Sequence, residues 1–195
     1  MTENIQQVIS EIKHTKWELA SKKESSPEWS KKKQGLIEIL QDNTPSKQYL
    51  LCTDIDLCFR CQSPTLGDLK RDYNRLAPIA FLNPQITDLS VYCNCKNILT
   101  EQVIESLSML ISNEYPYLKL TELMLFFYRF KLGYYESFYG SVSPMAITKS
   151  LNVFVKERNE YLRTVESKEY LDKQKAERKG AISYAEYLRR KNNQV

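Results

Sequence analysis

Residues 121–132 read TELMLFFYRFKL, and the fold turns on them. Leu, Met and Phe recur here on most sides of a helical wheel. A helix that is apolar nearly all round has to sit inside other elements. Thr121 is expected to start it. Gly133 follows where a left-handed C-terminal cap is wanted. A buried central helix of this kind implies surrounding helices, and the punctuation agrees. The 195 residues contain only five Gly and seven Pro, too few tight turns for a sandwich or barrel. The expectation is an all-α, irregular multi-helix bundle.

Working outward, Thr100 should cap a helix in which Val103, Ile104, Leu107, Leu110 and Ile111 form one stripe, stopped by Tyr115-Pro116. After Gly133 comes YYESFYGSVSP, residues 134–144, an aromatic-rich turn. Ser143-Pro144 opens the longest helix, with Ile147, Leu151, Phe154, Val155, Arg158, Leu162 and Val165 at alternating spacings of three and four. Beyond Val165 the stripe fades to Tyr170, Leu171 and Ala176 among charges, so this part is expected to project as a tail. Gly180 ends it, and Ser183 with Glu186 forms a capping box for a short last helix.

Towards the N-terminus, Thr65 caps a short helix with Leu66, Leu69 and Tyr73 inward. A helix from about Pro78 carries Ile79, Leu82, Ile86 and Leu89, and Pro84 should bend or split it. Residues 49–61, YLLCTDIDLCFRC, lack clean periodicity and read as a docked extended segment or short strand. Asn43 to Lys47 is a linker. Ser26-Pro27 opens a helix with Trp29, Lys33, Leu36, Ile37 and Leu40 on one face. Another helix runs from after Thr2 to about Ser21, with Ile5, Val8, Ile9 and Ile12 at helical spacing. The organisation expected is an N-terminal helical pair over 1–44, a helical core over 45–166 and a basic helical tail over 167–195.

Hydrophobic residues make up 42% of the chain and charged residues 27%, enough for a buried core and an ordinary solvated surface. No stretch has the length of a membrane span. The start MTENIQQVIS lacks the basic and apolar halves of a signal peptide. Five cysteines, an odd number, read as reduced thiols in a cytoplasmic protein.

Catalytic signatures are missing. The single histidine, His14, has no companion pattern. No nucleophile elbow, phosphate loop, zinc-protease motif or dinucleotide fingerprint occurs. Asp54 and Asp56 share a face only on an extended chain. The expectation is a protein without enzymatic activity, small-molecule substrate or catalytic residues.

Four features remain, each with a plain alternative. Cys58 and Cys61 have the CxxC spacing of a zinc grip, and Cys93 and Cys95 would complete four ligands; the alternative is buried thiols and no cofactor. Tyr134, Tyr135, Phe138 and Tyr139 lie beside Arg129 and Lys131, a combination that stacks single-stranded bases; the alternative is a plug between core helices. Arg158 interrupts an apolar face and wants a partner such as Glu136 or Glu122.

Charge is the fourth. Residues 1–35 hold seven Lys/Arg against five Asp/Glu, residues 36–155 ten against twelve, and residues 156–195 eleven against seven. The basic excess therefore lies at the two ends. Lys31, Lys32 and Lys33 stand near a helix start, where the macrodipole prefers acids. Arg178, Lys179, Arg189, Arg190 and Lys191 belong to the tail. Phosphate contacts are one use of such ends, and a solvated surface is the other.

The segment EYPYLKLTELMLFFYRFKLGYYESFYGSVSPMAITKSLNVFVKERNEYL, residues 114–162, resembles a helical domain family of unknown function carried in bacteroidete genomes and their phages or integrated elements. The features that carry the likeness are Tyr115, Leu118, Glu122-Leu123, Phe126-Phe127, Gly133, Phe138-Tyr139, Leu151 and Arg158. PTLGDLKRDY, residues 64–73, is similar as well. The resemblance implies a mainly helical fold and a mobile-element setting, and it transfers no catalytic residue.

Together these readings favour an accessory protein of a phage or mobile element that binds nucleic acid or a replication-type protein partner through its basic ends. A protein–protein inhibitor or adaptor without nucleic-acid binding, and a small zinc-stabilised module, are the alternatives.

Overall fold

The central helix is where the sequence places it. In the computed structural model, which describes residues 27–93, 98–135 and 143–180, it runs Leu120–Lys131, and Leu123, Met124, Phe126 and Phe127 are fully buried. Phe126 packs edge-on against Phe127 at 5.0 Å and Phe130 at 5.8 Å between ring centroids. Such edge-to-face pairs add stability beyond the area they bury.

Numbered in chain order, the helices are α1 Pro27–Asp42, α2 Gln48–Leu51, α3 Ile55–Arg60, α4 Leu66–Asp72, α5 Ala77–Tyr92, α6 Glu101–Glu114, α7 Leu120–Lys131 and α8 Pro144–Gly180, with a 3-10 turn at Pro45–Lys47. Among the described residues there is no strand, so the protein is all-α. Two compact units divide it, Met1–Asn152 and Val153–Val195. In the first, α7 lies against α2, α3 and α5, and α5 also packs against α1, α4 and α6.

Both ends of α7 are fixed by local chemistry. Its first residue is Leu120, because the Glu122 carboxylate accepts the Lys119 N–H at 2.9 Å. Thr121, expected to open the helix, instead donates its hydroxyl to the Cys58 carbonyl at 2.8 Å. At the other end Gly133 takes φ +77°. The Tyr134 N–H reaches the Arg129 carbonyl and the Gly133 N–H the Phe130 carbonyl, both at 3.1 Å. This is the Schellman arrangement that a left-handed glycine permits.

A second anchor joins distant parts of the chain. Thr65 caps α4 through a reciprocal box with Asp68. It also forms an isolated antiparallel bridge with Lys119. The Leu66 N–H donates to the Leu118 carbonyl and the Leu120 N–H to the Pro64 carbonyl, each at 3.0 Å. Gly67 brings its N–H to 2.7 Å from the Pro116 carbonyl, and a Cβ there would stand 3.0 Å from that oxygen. Only glycine fits so close an approach without a shift.

Three expectations need correction. Residues 49–61 are neither extended nor a strand: α2 and α3 cover most of them. Asp54 caps α3 by accepting the Leu57 N–H at 2.9 Å, so Asp54 and Asp56 are a cap and a first-turn acid, which the macrodipole favours. Leu110 is 51% exposed, off the stripe on which it was placed. The buried face of α6 is Ile104, Leu107, Ser108, Ile111 and Ser112. Of the bend or split expected at Pro84, the split does not occur, since α5 runs unbroken through it. Leu82, Ile86 and Leu89 on either side are fully buried. Their burial, at ~1.5–3 kcal/mol each, outweighs the ~3 kcal/mol an interior proline costs.

The longest helix also starts as expected, with Ser143 Oγ accepting the Ala146 N–H at 3.1 Å. Ile147, Leu151 and Phe154 are fully buried. Val155, Arg158, Leu162 and Val165 are half-buried, and most of the following positions are exposed. Arg158 donates to Asn159 Oδ1 at 3.2 Å. The expected helix over 2–21, the cap at Ser26 and the capping box at Ser183 and Glu186 lie outside the described residues, as does Glu136.

Candidate functional site

The basic residues fall into two classes. Lys31, Lys32 and Lys33 are exposed on α1. Successive helical residues point about 100° apart, so the three ammonium groups wrap one turn of α1 rather than forming a narrow line. Leu36, Ile37 and Leu40 of the same helix are half-buried, and Lys33 lies on their face at helical spacing. In the tail, Lys168, Lys173 and Lys175 are exposed, with Lys175 3.6 Å from Asp172. Arg178 and Lys179 are on the last turn of α8. Arg189, Arg190 and Lys191 lie outside the described residues.

Lys131 belongs to the other class. Its ammonium is paired with Asp88 of α5 and donates to Gln48 Oε1 at 2.8 Å. It also stands 5.6 Å from the centre of the Tyr92 ring. Its side chain is only 14% exposed. Gln48, itself 2% exposed, donates to Gln85, which in turn donates to the Asn43 carbonyl at 2.7 Å. The result is a polar relay from the end of α1 through α5 and α2 to α7. Each amide is satisfied, which is what a buried polar group requires.

The aromatic turn divides in the same way. Tyr135 sits against Phe126 and Phe130, at 5.6 and 6.0 Å between centroids. Its side chain is half-buried there. Tyr134 is 69% exposed and carries Arg129 over its ring at 5.7 Å. Phe138 and Tyr139 lie outside the described residues. Of the two that lie among the described residues, Tyr134 is the one facing solvent beside a cation.

Of the four cysteines whose spacing suggests a zinc grip, three lie among the described residues. Cys58 is fully buried and directs its thiol to the Leu51 carbonyl at 3.4 Å. Cys61, half-buried, is 3.4 Å from Thr121 Oγ1. Cys93 caps the C-terminus of α5, and Cys95 lies outside the described residues. Among the described residues no three His, Cys, Asp or Glu side chains gather as a metal would require. Cys52, 3% exposed, is at the C-terminal cap of α2. Hydrogen bonding with Cys58, and then burial, push the Cys52 thiol well above the ordinary range. The same bond holds the Cys58 thiol below it, with Arg129 assisting and burial opposing.

Lys119 supports this corner. Its ammonium donates to the carbonyls of Phe59 and Cys61, at 2.8 and 2.9 Å. A cation at a helix C-terminus satisfies orphan carbonyls and complements the dipole.

The chain is similar to a family of unknown function (DUF6633) over residues 100–195. That span takes in α6, α7 and α8 and contains the whole segment 114–162; α1 to α5 precede it. No curated protein and no solved structure matches the chain.

Proposed function

We propose that this is a non-enzymatic accessory protein that binds nucleic acid through its basic ends, in the phage or mobile-element setting implied by the likeness over residues 114–162. The observation that carries the reading is the lysine turn. Three adjacent cations stand exposed near the start of α1, where the macrodipole prefers acids. The excess of Lys/Arg over Asp/Glu in residues 156–195 repeats the pattern at the other end. Contacts of this type are to phosphate and carry little sequence information.

The test is binding of the purified chain to single-stranded and duplex DNA across a salt series. Affinity should fall steeply with salt, by roughly 0.7–0.9 in log–log slope per phosphate contact. Failure to bind either form at low ionic strength would sink the reading.

A second reading has its own support. Tyr49, Leu50, Ile55 and Leu57 are 40–66% exposed on the outer sides of α2 and α3. A protein-binding module, an inhibitor or adaptor, would use such apolar side chains. Capture of one stoichiometric protein partner after nuclease treatment favours it over the first.

A further inference from the structure

We infer that Tyr92 and Tyr134 are stacking platforms for the unpaired bases of a single-stranded nucleic acid; this rests on the nucleic-acid reading and specifies the form of strand. Both rings stand at the C-terminal end of α7. Tyr134 is 69% exposed and Tyr92 60%. Each carries a cation over one face, Arg129 for Tyr134 and Lys131 for Tyr92, at 5.7 and 5.6 Å from the ring centre. Both cations belong to the last turn of α7. Leu132, which follows Lys131 in the chain, is exposed as well. Stacking on an aromatic ring suits every base, because every base has a π-face.

The backbone under both rings is already fixed. The Tyr134 N–H is tied to the Arg129 carbonyl at 3.1 Å, directly after the left-handed Gly133. Tyr92 is the last residue of α5, one turn beyond the fully buried Leu89. Its cation is held in turn by Asp88 and by Gln48. A tyrosine fixes only two side-chain angles when a ligand lands on it, so little entropy is lost.

The same geometry selects the occupant. In a duplex the base faces are stacked on one another and only their edges reach the grooves. An exposed ring therefore takes its face from an unpaired, splayed base. A ring that already has a cation on one face is a poorer site for a second cation, which disfavours a lysine- or arginine-rich protein segment on the other. This corner does not itself attract phosphate. Lys131 is committed to Asp88 and Gln48. Helices α5 and α7 both end here, and helix C-termini carry partial negative charge. The lysines and arginines of the basic ends thus supply the salt-dependent share of binding, and the two rings supply a share that salt does not screen.

The test uses the full chain and three probes: oligodeoxythymidylate, an abasic deoxyribose-phosphate strand of the same length, and a DNA duplex. The parent is expected to bind the thymidylate strand more tightly than the abasic one. Tyr134→Leu and Tyr92→Leu are each expected to weaken thymidylate binding roughly five- to a hundredfold. The salt slope, and the affinities for the abasic strand and the duplex, should not change. Tyr134→Phe and Tyr92→Phe keep the ring and should keep the affinity. Equal binding of the abasic and thymidylate strands by the parent overturns the inference and leaves the basic-end reading standing; that comparison depends on no variant folding. Parental thymidylate affinity in the Leu variants overturns it as well. Loss of a protein partner in those variants, with thymidylate affinity intact, assigns the rings to a protein surface instead. Binding of no probe at low salt overturns both readings together.

Discussion

Gln48 donates to Gln85 at 2.6 Å across 37 positions of sequence, and both side chains are almost wholly buried. The pair joins α2 to α5 and passes the connection on to Lys131 and to the Asn43 carbonyl.

Gln85→Leu should therefore destabilise the protein. It leaves a Gln48 amide donor and the Asn43 carbonyl without partners, at ~1–3 kcal/mol for an unsatisfied buried group. For a chain of this size that is a fall of roughly 2–4 °C in Tm per kcal/mol. Thermal or urea unfolding measures it. A variant as stable as the parent would show that the relay contributes nothing.

Acid should weaken the start of α4. The Asp68 carboxyl is held below the ordinary range, first by the Thr65 backbone N–H, then by the Thr65 hydroxyl and Arg71. A depressed folded value means stabilisation that is present above the unfolded value and lost as pH falls through the folded one. The stability difference between parent and Asp68→Ala should be full near neutrality and shrink below about pH 4. Urea midpoints taken across that range check it, and a difference independent of pH would contradict the assignment.

Gly133→Ala should cost ~1 kcal/mol, the penalty of φ +77° for a residue with a Cβ. The added methyl meets nothing within 4 Å, so the loss is conformational rather than steric. Gly133→Asn should lose less, because asparagine visits this region more readily. Equal losses for the two would point to a different cause.

Nucleic-acid binding and stability should separate by residue. Replacing Lys31, Lys32 and Lys33 together by Gln should flatten the salt dependence of DNA binding by roughly two units of log–log slope, with little change in Tm. Lys131→Met and Tyr135→Ala should do the reverse. Lys131 is paired with Asp88 and Gln48, and Tyr135 is packed on Phe126 and Phe130. Full DNA affinity in the triple variant would remove the lysine turn from the interface.

What could be read from the sequence was what is locally encoded. Thr65 with Asp68, Ser143 before Pro144 and Gly133 after α7 each carry their cap within a few positions. So does the run of Phe and Leu that makes α7 central. The stretch 49–61 was opaque because its two helices are too short to show a period. They are held from far away, by the Lys119 ammonium on the Phe59 and Cys61 carbonyls. Leu110 misled because Ser108 and Ser112, small and polar, occupy the buried face of α6. Hydropathy counts them as outward, whereas close helix packing can accept them. For the candidate site, the exposure of Lys31–Lys33 followed from their charge. The engagement of Lys131 did not, since Asp88 lies 43 positions away.

The seam between Thr65 and Lys119 has a practical corollary for anyone dissecting the gene. Cutting at the edge of the matched span, residue 100, would sever Pro64 and Leu66 from Leu120 and Leu118, and strip α2, α3 and α5 from α7. Phe126, Phe127 and Leu123 would then meet water, at ~1.5–3 kcal/mol apiece. A recombinant 100–195 piece should aggregate or need a solubilising fusion, whereas one that retains residues 27–99 keeps its α7 clothed.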